Sequence, residues 1–344
     1  MVEISRIGMD TSKRFFQLHG VDAAGEAVLR RKLSRDQMVN FFAKLPSTVI
    51  GIEACGAGHY WARELTALGH EVKLLAPQLV KPYVKRNKND AADAEALCEA
   101  MSRPSMRFVP AKSAAQQAAL MLAHERERHV RERTRLGNTI RGYAAEFGLV
   151  ASKGLSHIAG LLQQVKDSQA IPELARALIA EQGEQFFEAD GRVEALDVKL
   201  KAWHRENEVS RRLAQVPGIG ETIAPILVMK VPDVKSFASG RHFAAWLGLT
   251  PKDHSTGGKI RLGRITRAGD ETLRSLLVVG ATAVIWHAHR ARRPDPWLLK
   301  LLARKPAKLA AVALANKMAR IVWKLMVSGQ SYNAAHARPV ATTA

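Results

Sequence analysis

Between Ser113 and Phe147 the chain holds no proline and is built largely from Ala, Leu, Glu, Arg and Gln, a texture that specifies one long helix. Its section His124–Arg141 (HERERHVRERTRLGNTIR) carries six arginines, so this helix is too polar to be buried all round. Arg126, Arg128, Arg131, Arg133 and Arg135 are spaced to lie along a phosphate backbone or a partner helix; a solvated face laced with local Glu–Arg pairs is the plainer alternative. Such a helix separates two parts of a chain, and the sequence on its two sides differs accordingly.

Upstream, short β-rich runs at Ile4–Met9, Phe15–Val21, Ala27–Leu33, Thr48–Ile52 and Glu71–Leu75 alternate with helical patterns such as Asp36–Leu45 and Tyr60–Leu68. Three early strands with short joins predict an antiparallel meander. Later strands that follow helices predict parallel addition, hence an α/β domain with a mixed sheet over residues 1–112. Downstream, helical segments between Leu155 and Arg205, among them Arg192–Trp203, predict a coiled-coil-like spacer over 113–206. A stretch richer in Gly and Pro follows and ends in the helical runs Asp270–His289, Pro296–Arg304 and Pro306–Val327. Residues 207–330 thus form a mostly α-helical domain, and 331–344 a flexible tail.

Charge narrows the partners. The chain of 344 residues carries +20, of which residues 1–110 hold +4 and the remainder +16, so binding of a polyanion is expected to concentrate downstream. No apolar run approaches the roughly 18 residues of a membrane span, and Met1–Asp10 lacks the basic start and apolar stretch of a signal peptide. A soluble, cytoplasmic protein with no membrane partner is expected. Cys55 and Cys98 alone supply neither a disulfide framework nor a thiolate-rich zinc site.

Four carboxylates stand where chemistry is habitual. Asp10 ends the first apolar run and Glu53 ends Val49-Ile50-Gly51-Ile52, so both side chains fall at the edge of a sheet. Asp90 and Asp93, three residues apart, share one face of the first turn of a helix. Each has a bland alternative: a turn former at Asp10, an N-cap at Asp90, a dipole partner at Asp93. Together they would repel strongly unless cations neutralised them, and hard oxygen donors suit Mg²⁺ or Mn²⁺. Paired ions of this kind serve phosphodiester displacement.

Two further motifs follow. Val216-Pro217-Gly218-Ile219-Gly220-Glu221 has the form of a helix-hairpin-helix, in which Gly218 and Gly220 would offer backbone N–H groups to a DNA phosphate; a tight helix connection is the alternative. In the Gly-rich segment after Pro251, Ser255 is a candidate nucleophile on phosphorus, with Lys259, Arg261, Arg264 and Arg267 as candidate nucleic-acid contacts. Ordinary loop chemistry explains a serine beside glycines equally well.

In this order, GMDTSK, GIEACG, KNDAADA, VPGIGETIA, and FAAWLGLTP followed by HSTGGKIRLGRITRAGDETLR resemble the DEDD transposases of bacterial insertion sequences, the insertion-sequence 110/1111 family, over about residues 4–330. The resemblance implies a first domain with the RNase H-like fold of RuvC Holliday-junction resolvase, whose four carboxylates, here Asp10, Glu53, Asp90 and Asp93, bind Mg²⁺. It implies a helical transposase domain whose serine, here Ser255 with Thr256 as a second hydroxyl, attacks DNA to form a covalent phosphoserine link. It also implies a noncoding bridge RNA that pairs with donor and target DNA, a dimer of dimers, and a bacterial cytoplasm.

Three other classes compete. A junction-resolving endonuclease would use the quartet to activate water, but has no need of the GLTP…STGG…RAG segment. GMDTSK also resembles the first phosphate loop of actin-like ATPases and sugar kinases, yet no second DxG phosphate loop follows and +20 suits no small metabolite. A purely architectural RNA-binding protein would leave the carboxylates incidental.

Overall fold

The computed structural model describes residues 3–84, 89–231, 233–288 and 295–333, which fold as two compact units, Met1–Gln117 and Ala118–Ala344.

The first unit is a six-stranded mixed sheet with helices. Strands β1 (Arg6–Asp10), β2 (Phe15–Val21) and β3 (Ala27–Ser34) form the expected antiparallel meander. After the short helix α1 (Met38–Phe42), β4 (Val49–Glu53) pairs parallel with β1, and after α2 (Gly58–Ala67), β5 (Glu71–Leu75) pairs parallel with β4. Helices α3 (Pro77–Val80) and α4 (Asp90–Met101) precede a two-residue strand, β6 (Phe108–Val109), which was too short to leave a periodic signal. The sheet order is β3-β2-β1-β4-β5-β6. Ile7, Met9, Phe16, Leu18, Ile50, Ile52 and Leu74 fill one core with Phe42, Trp61 and Leu65, while Leu75 meets Leu97, Cys98 and Met101 of α4 in another.

Gly8 decides how α4 docks. A methyl group there would overlap the Ala94 carbonyl oxygen and sit 2.6 Å from the Cys98 amide nitrogen, both backbone atoms that cannot step aside. The middle of α4 is thereby held against the strand that ends in Asp10. Gly8→Ala is expected to cost roughly 2–3 kcal/mol of stability as α4 is pushed off the sheet, measured as a lower urea midpoint at unchanged m.

The second unit is mostly helical. Helix α5 (Ala114–Ala145), which enters it from the first unit, matches the expected long helix. Then come α6 (Ile158–Asp167) and a second long helix, α7 (Glu173–Glu206). Leu136, Ile140 and Ala144 of α5 pack with Ile158, Leu161 and Val165 of α6 and Ile179, Phe186 and Ala189 of α7, so the apolar stripes of the expected spacer meet within one chain. At the other end, Ala123 and Leu200 join the core of the remaining helices: α8 (Glu208–Leu213), α9 (Ile223–Lys230), α10 (Gly240–Trp246), α11 (Glu271–Ala288), α12 (Pro296–Leu302) and α13 (Ala307–Ser328). The spacer thus has a core of its own between α5, α6 and α7 and contributes Ala123 and Leu200 to the core of the last helices. Helix α13 ends at a left-handed Gly329; most of the expected flexible tail lies outside the described residues.

The segment from Pro251 to Ile265, expected as a loop, is a two-stranded hairpin, β7 (Pro251–Asp253) and β8 (Leu262–Ile265). Its root is clamped: Gly248 and Gly269, both left-handed, lie against the backbone of Ala268 and Trp246 respectively, where any side chain would overlap. Arg274 ties the same two segments by donating to the carbonyls of Leu247 and Ala268 at 3.1 and 2.8 Å.

Candidate active site

The sheet brings the first two carboxylates together by register. Met9 pairs with Ile52 in the parallel β1–β4 ladder, so Asp10 and Glu53 leave the same end of adjacent strands. Helix α4 supplies the other two. Its N-cap is Asn89, whose side chain accepts from the Ala92 amide at 2.9 Å, so Asp90 is not the cap and both aspartates occupy the first turn, where the helix dipole favours negative charge. Lys88 of the KNDAADA element lies outside the described residues.

The other three carboxylates act on Asp10. The half-buried Asp10 carboxyl is raised from 3.8 to about 6, first by burial, then by Asp90, Asp93 and Glu53; only the Thr11 N–H opposes them. Beside them the thiol of Cys55, 4.0 Å from the Thr11 hydroxyl, is pushed up by burial and by Glu53. Among the described residues no basic side chain takes part in holding Asp10 ionised, so their charge there is negative, which a hard divalent cation would offset. Among the described residues, however, no three Asp, Glu, His or Cys side chains are gathered tightly enough to enclose an ion.

Ser255 sits in the second unit, just past β7, on an exposed loop. Its amide donates to Asp253 Oδ1 at 2.8 Å and its hydroxyl oxygen accepts from the Arg261 amide at 3.0 Å. The hydroxyl in turn donates to the Asp253 carboxylate, which holds that carboxyl below its usual range. Sequence reasoning missed Asp253, although a carboxylate two residues before a serine is an Asx-turn signal. Thr256 is bridged to Lys259, whose amide donates to the Thr256 carbonyl at 3.1 Å. Lys259, Arg261, Arg264 and Arg267 are all exposed around this hairpin, and Arg267 is a left-handed non-glycine residue held by its amide on the Gly248 carbonyl at 3.2 Å.

The α5 arginines are engaged. Arg126 pairs with Asp197 at 2.6 Å and Arg133 with Asp190 at 2.5 Å, both on α7. Arg128, Arg131 and Arg135 pair with Glu125, Glu127 and Glu132 within α5. The last three pairs are more than half exposed on the arginine side and hold weakly; the first two bind α5 to α7. Gly218 has a packing role: left-handed, it lies against the Gly280 carbonyl of α11, where a side chain would come within 2.8 Å. Gly220 is exposed with open space around it.

Comparison with known proteins covers both units. Residues 7–147 match the model of the DEDD transposases of the IS110 group, and residues 210–295 match the model described as transposase IS116/IS110/IS902 family. A Sinorhizobium fredii protein named as a transposase, y4pF/y4sB, is 61% identical over 97% of this chain and 87% of its own length. A family 20 transposase, so named with the qualifier probable, of Pseudomonas aeruginosa is 47% identical over 94% of this chain and 97% of its own. The transposase for insertion sequence element IS1328 of Yersinia enterocolitica is 37% identical over 97% of this chain and all of its own length.

Proposed function

Because the chain belongs to the IS116/IS110/IS902 transposase family, and is therefore an enzyme that moves an insertion sequence, we propose that it cuts and exchanges DNA strands through a phosphoserine at Ser255 with divalent metal held by Asp10, Glu53, Asp90 and Asp93. The observation that carries this reading is the Asp10 crevice. Glu53 of β4 and Asp90 and Asp93 of α4 crowd the half-buried Asp10 carboxyl of β1, with no basic side chain among the described residues offsetting them, the condition that Mg²⁺ or Mn²⁺ relieves. When bound there, a divalent ion supplies positive charge for a phosphoryl group whose oxygens gain negative charge.

The chain's own residues account for the rest of the chemistry. The Arg261 amide and Asp253 fix the Ser255 hydroxyl, and Asp253 receives its proton as Oγ attacks phosphorus. The Oγ–P bond forms and the P–O3′ bond breaks, the 3′-oxygen leaving as a hydroxyl after taking a proton from water. Attack by the 3′-hydroxyl of another strand reverses these steps and returns the proton to Ser255. One phosphodiester is lost and one made, so no external energy source is needed. Exposure of Lys259, Arg261, Arg264 and Arg267 around the hairpin supports reading them as contacts to the phosphate backbone.

The first unit is read as RNase H-like of the RuvC type, supported by the mixed sheet with both strand-end carboxylates at one end. A noncoding bridge RNA as the targeting partner, pairing with donor and target DNA, and a dimer of dimers as the working assembly rest on the family resemblance and on the +16 carried by residues 111–344. A junction nuclease acting by metal-activated water explains the crevice but not the family match over residues 210–295. The separating experiment incubates purified protein and its co-purified RNA with supercoiled donor and target, with Mg²⁺ or with EDTA. Joined donor–target strands with Mg²⁺ alone are expected; nicks that never become joints would overturn the transfer reading in favour of hydrolysis.

A further inference from the structure

We propose that a cleft in the second unit, at the root of the Ser255 hairpin, binds an unpaired strand of DNA. The cleft has a volume of about 1620 Å³ and is walled by one face of α13, by α12 and by Pro251, Arg264 and Ile265 of the hairpin. Among the described residues no acidic side chain lines it, and one lining cation, Lys317, is paired with Asp295 at 2.9 Å. Arg241, Arg264, Lys305, Arg320 and Lys324 all face this space, and among the described residues none of the five has a carboxylate partner. The contrast with α5 is informative: five arginines there are each paired with an acid, whereas here the positive charge is left open to a polyanion.

The remaining walls select the form of that polyanion. Trp297, Trp323, Ile321 and Leu309 make the interior largely apolar, with the cations around it. A duplex exposes its backbone and base edges but keeps its base faces stacked inside, so it has no base face to lay on such walls. An unpaired strand puts its phosphates on the cations and its base faces against the apolar and aromatic surface. Because β7 and β8 form one wall, a strand in the cleft runs on toward the loop that carries Ser255. This inference rests on the reading of Ser255 as the residue that attacks DNA, and it makes the occupant the DNA strand next to the scissile phosphate.

The test uses the full-length protein and fluorescein-labelled oligonucleotides of one sequence as single-stranded DNA, duplex DNA and single-stranded RNA, with binding followed by anisotropy across a salt series. Replacing Arg320 and Lys324 together by Gln is expected to weaken single-stranded DNA binding at least ten-fold and to lower the salt slope by about 1.4, two phosphate contacts at 0.7 each. Lys305→Gln, on the turn before α13, gives an independent reading of about 0.7. Duplex binding and the thermal melt should stay as in the parent, and the Arg320→Lys, Lys324→Arg pair should restore the slope. An equal loss on duplex, no loss on any probe, or a loss confined to RNA would overturn the proposal. Ser255→Ala protein should keep the full slope while losing strand transfer, so a failed cleft and a failed nucleophile give different results.

Discussion

Asp10→Asn is expected to lower strand cleavage on the order of a thousand-fold and, at the same time, to raise the melting temperature of the metal-free protein at neutral pH. The first effect is the loss of one of four oxygen donors at a site that must concentrate positive charge on a phosphate, a loss of several kcal/mol from the transition state. The second follows from the Asp10 carboxyl, raised from 3.8 to about 6 by burial and then by Asp90, Asp93 and Glu53. The folded chain holds that proton more firmly than the unfolded chain. The stability this gives is complete below about pH 4 and is lost as pH rises through about 6. With solvent screening of a half-exposed group allowed for, the loss at neutral pH is about 1 kcal/mol, or roughly 4 °C. Asparagine escapes it, so the variant's advantage should appear at pH 7 and vanish near pH 4. Mg²⁺ should raise the melting temperature of the parent at pH 7 and leave the variant nearly unmoved. A variant with parent-like melting at every pH would show that the four carboxylates do not share one crevice.

The second large effect is expected from Ser255→Ala, which should reduce cleavage by about four orders of magnitude or more, as removal of a covalent nucleophile does elsewhere. The residue lies on an exposed loop held by backbone groups, so DNA affinity and folding should be retained. Asp253→Asn should keep the Asx turn but lose the proton acceptor, lowering the rate about a hundred-fold with a shifted pH profile. Thr256→Ala should cleave like the parent. If Thr256→Ala rather than Ser255→Ala silences the enzyme, the neighbouring hydroxyl is the nucleophile.

The centre of the first unit was legible because β1 and β4 are buried apolar runs. Ile7–Met9 and Ile50–Ile52 announce strands, and the residue after each is a carboxylate whatever the wider topology. The hairpin carrying Ser255 was not legible: every residue of Pro251–Ile260 is exposed, so no alternation of apolar and polar residues marks β7 or the turn after it. The local Glu–Arg pairs of Arg128, Arg131 and Arg135 were legible as the plainer alternative, whereas the partners of Arg126 and Arg133 lie 71 and 57 residues away on α7, beyond the reach of any local pattern. Asn89 displaced Asp90 as the cap of α4 because either side chain satisfies the same preference, and only backbone geometry chooses between them. Gly8 and Gly248 could be seen as glycines; what approaches them could not.

The account turns on a covalent bond between Ser255 and DNA. It is tested most directly by trapping the reaction of full-length protein, Mg²⁺, co-purified RNA and an end-labelled donor in denaturant, digesting with protease, and sequencing the peptide that keeps the label. The expected result is a single peptide spanning the β7–β8 loop with the nucleotide phosphate on Ser255, absent with EDTA and absent from Asp10→Asn protein. Strand joining with no covalent peptide, or a phosphate carried by any residue other than Ser255, would contradict it.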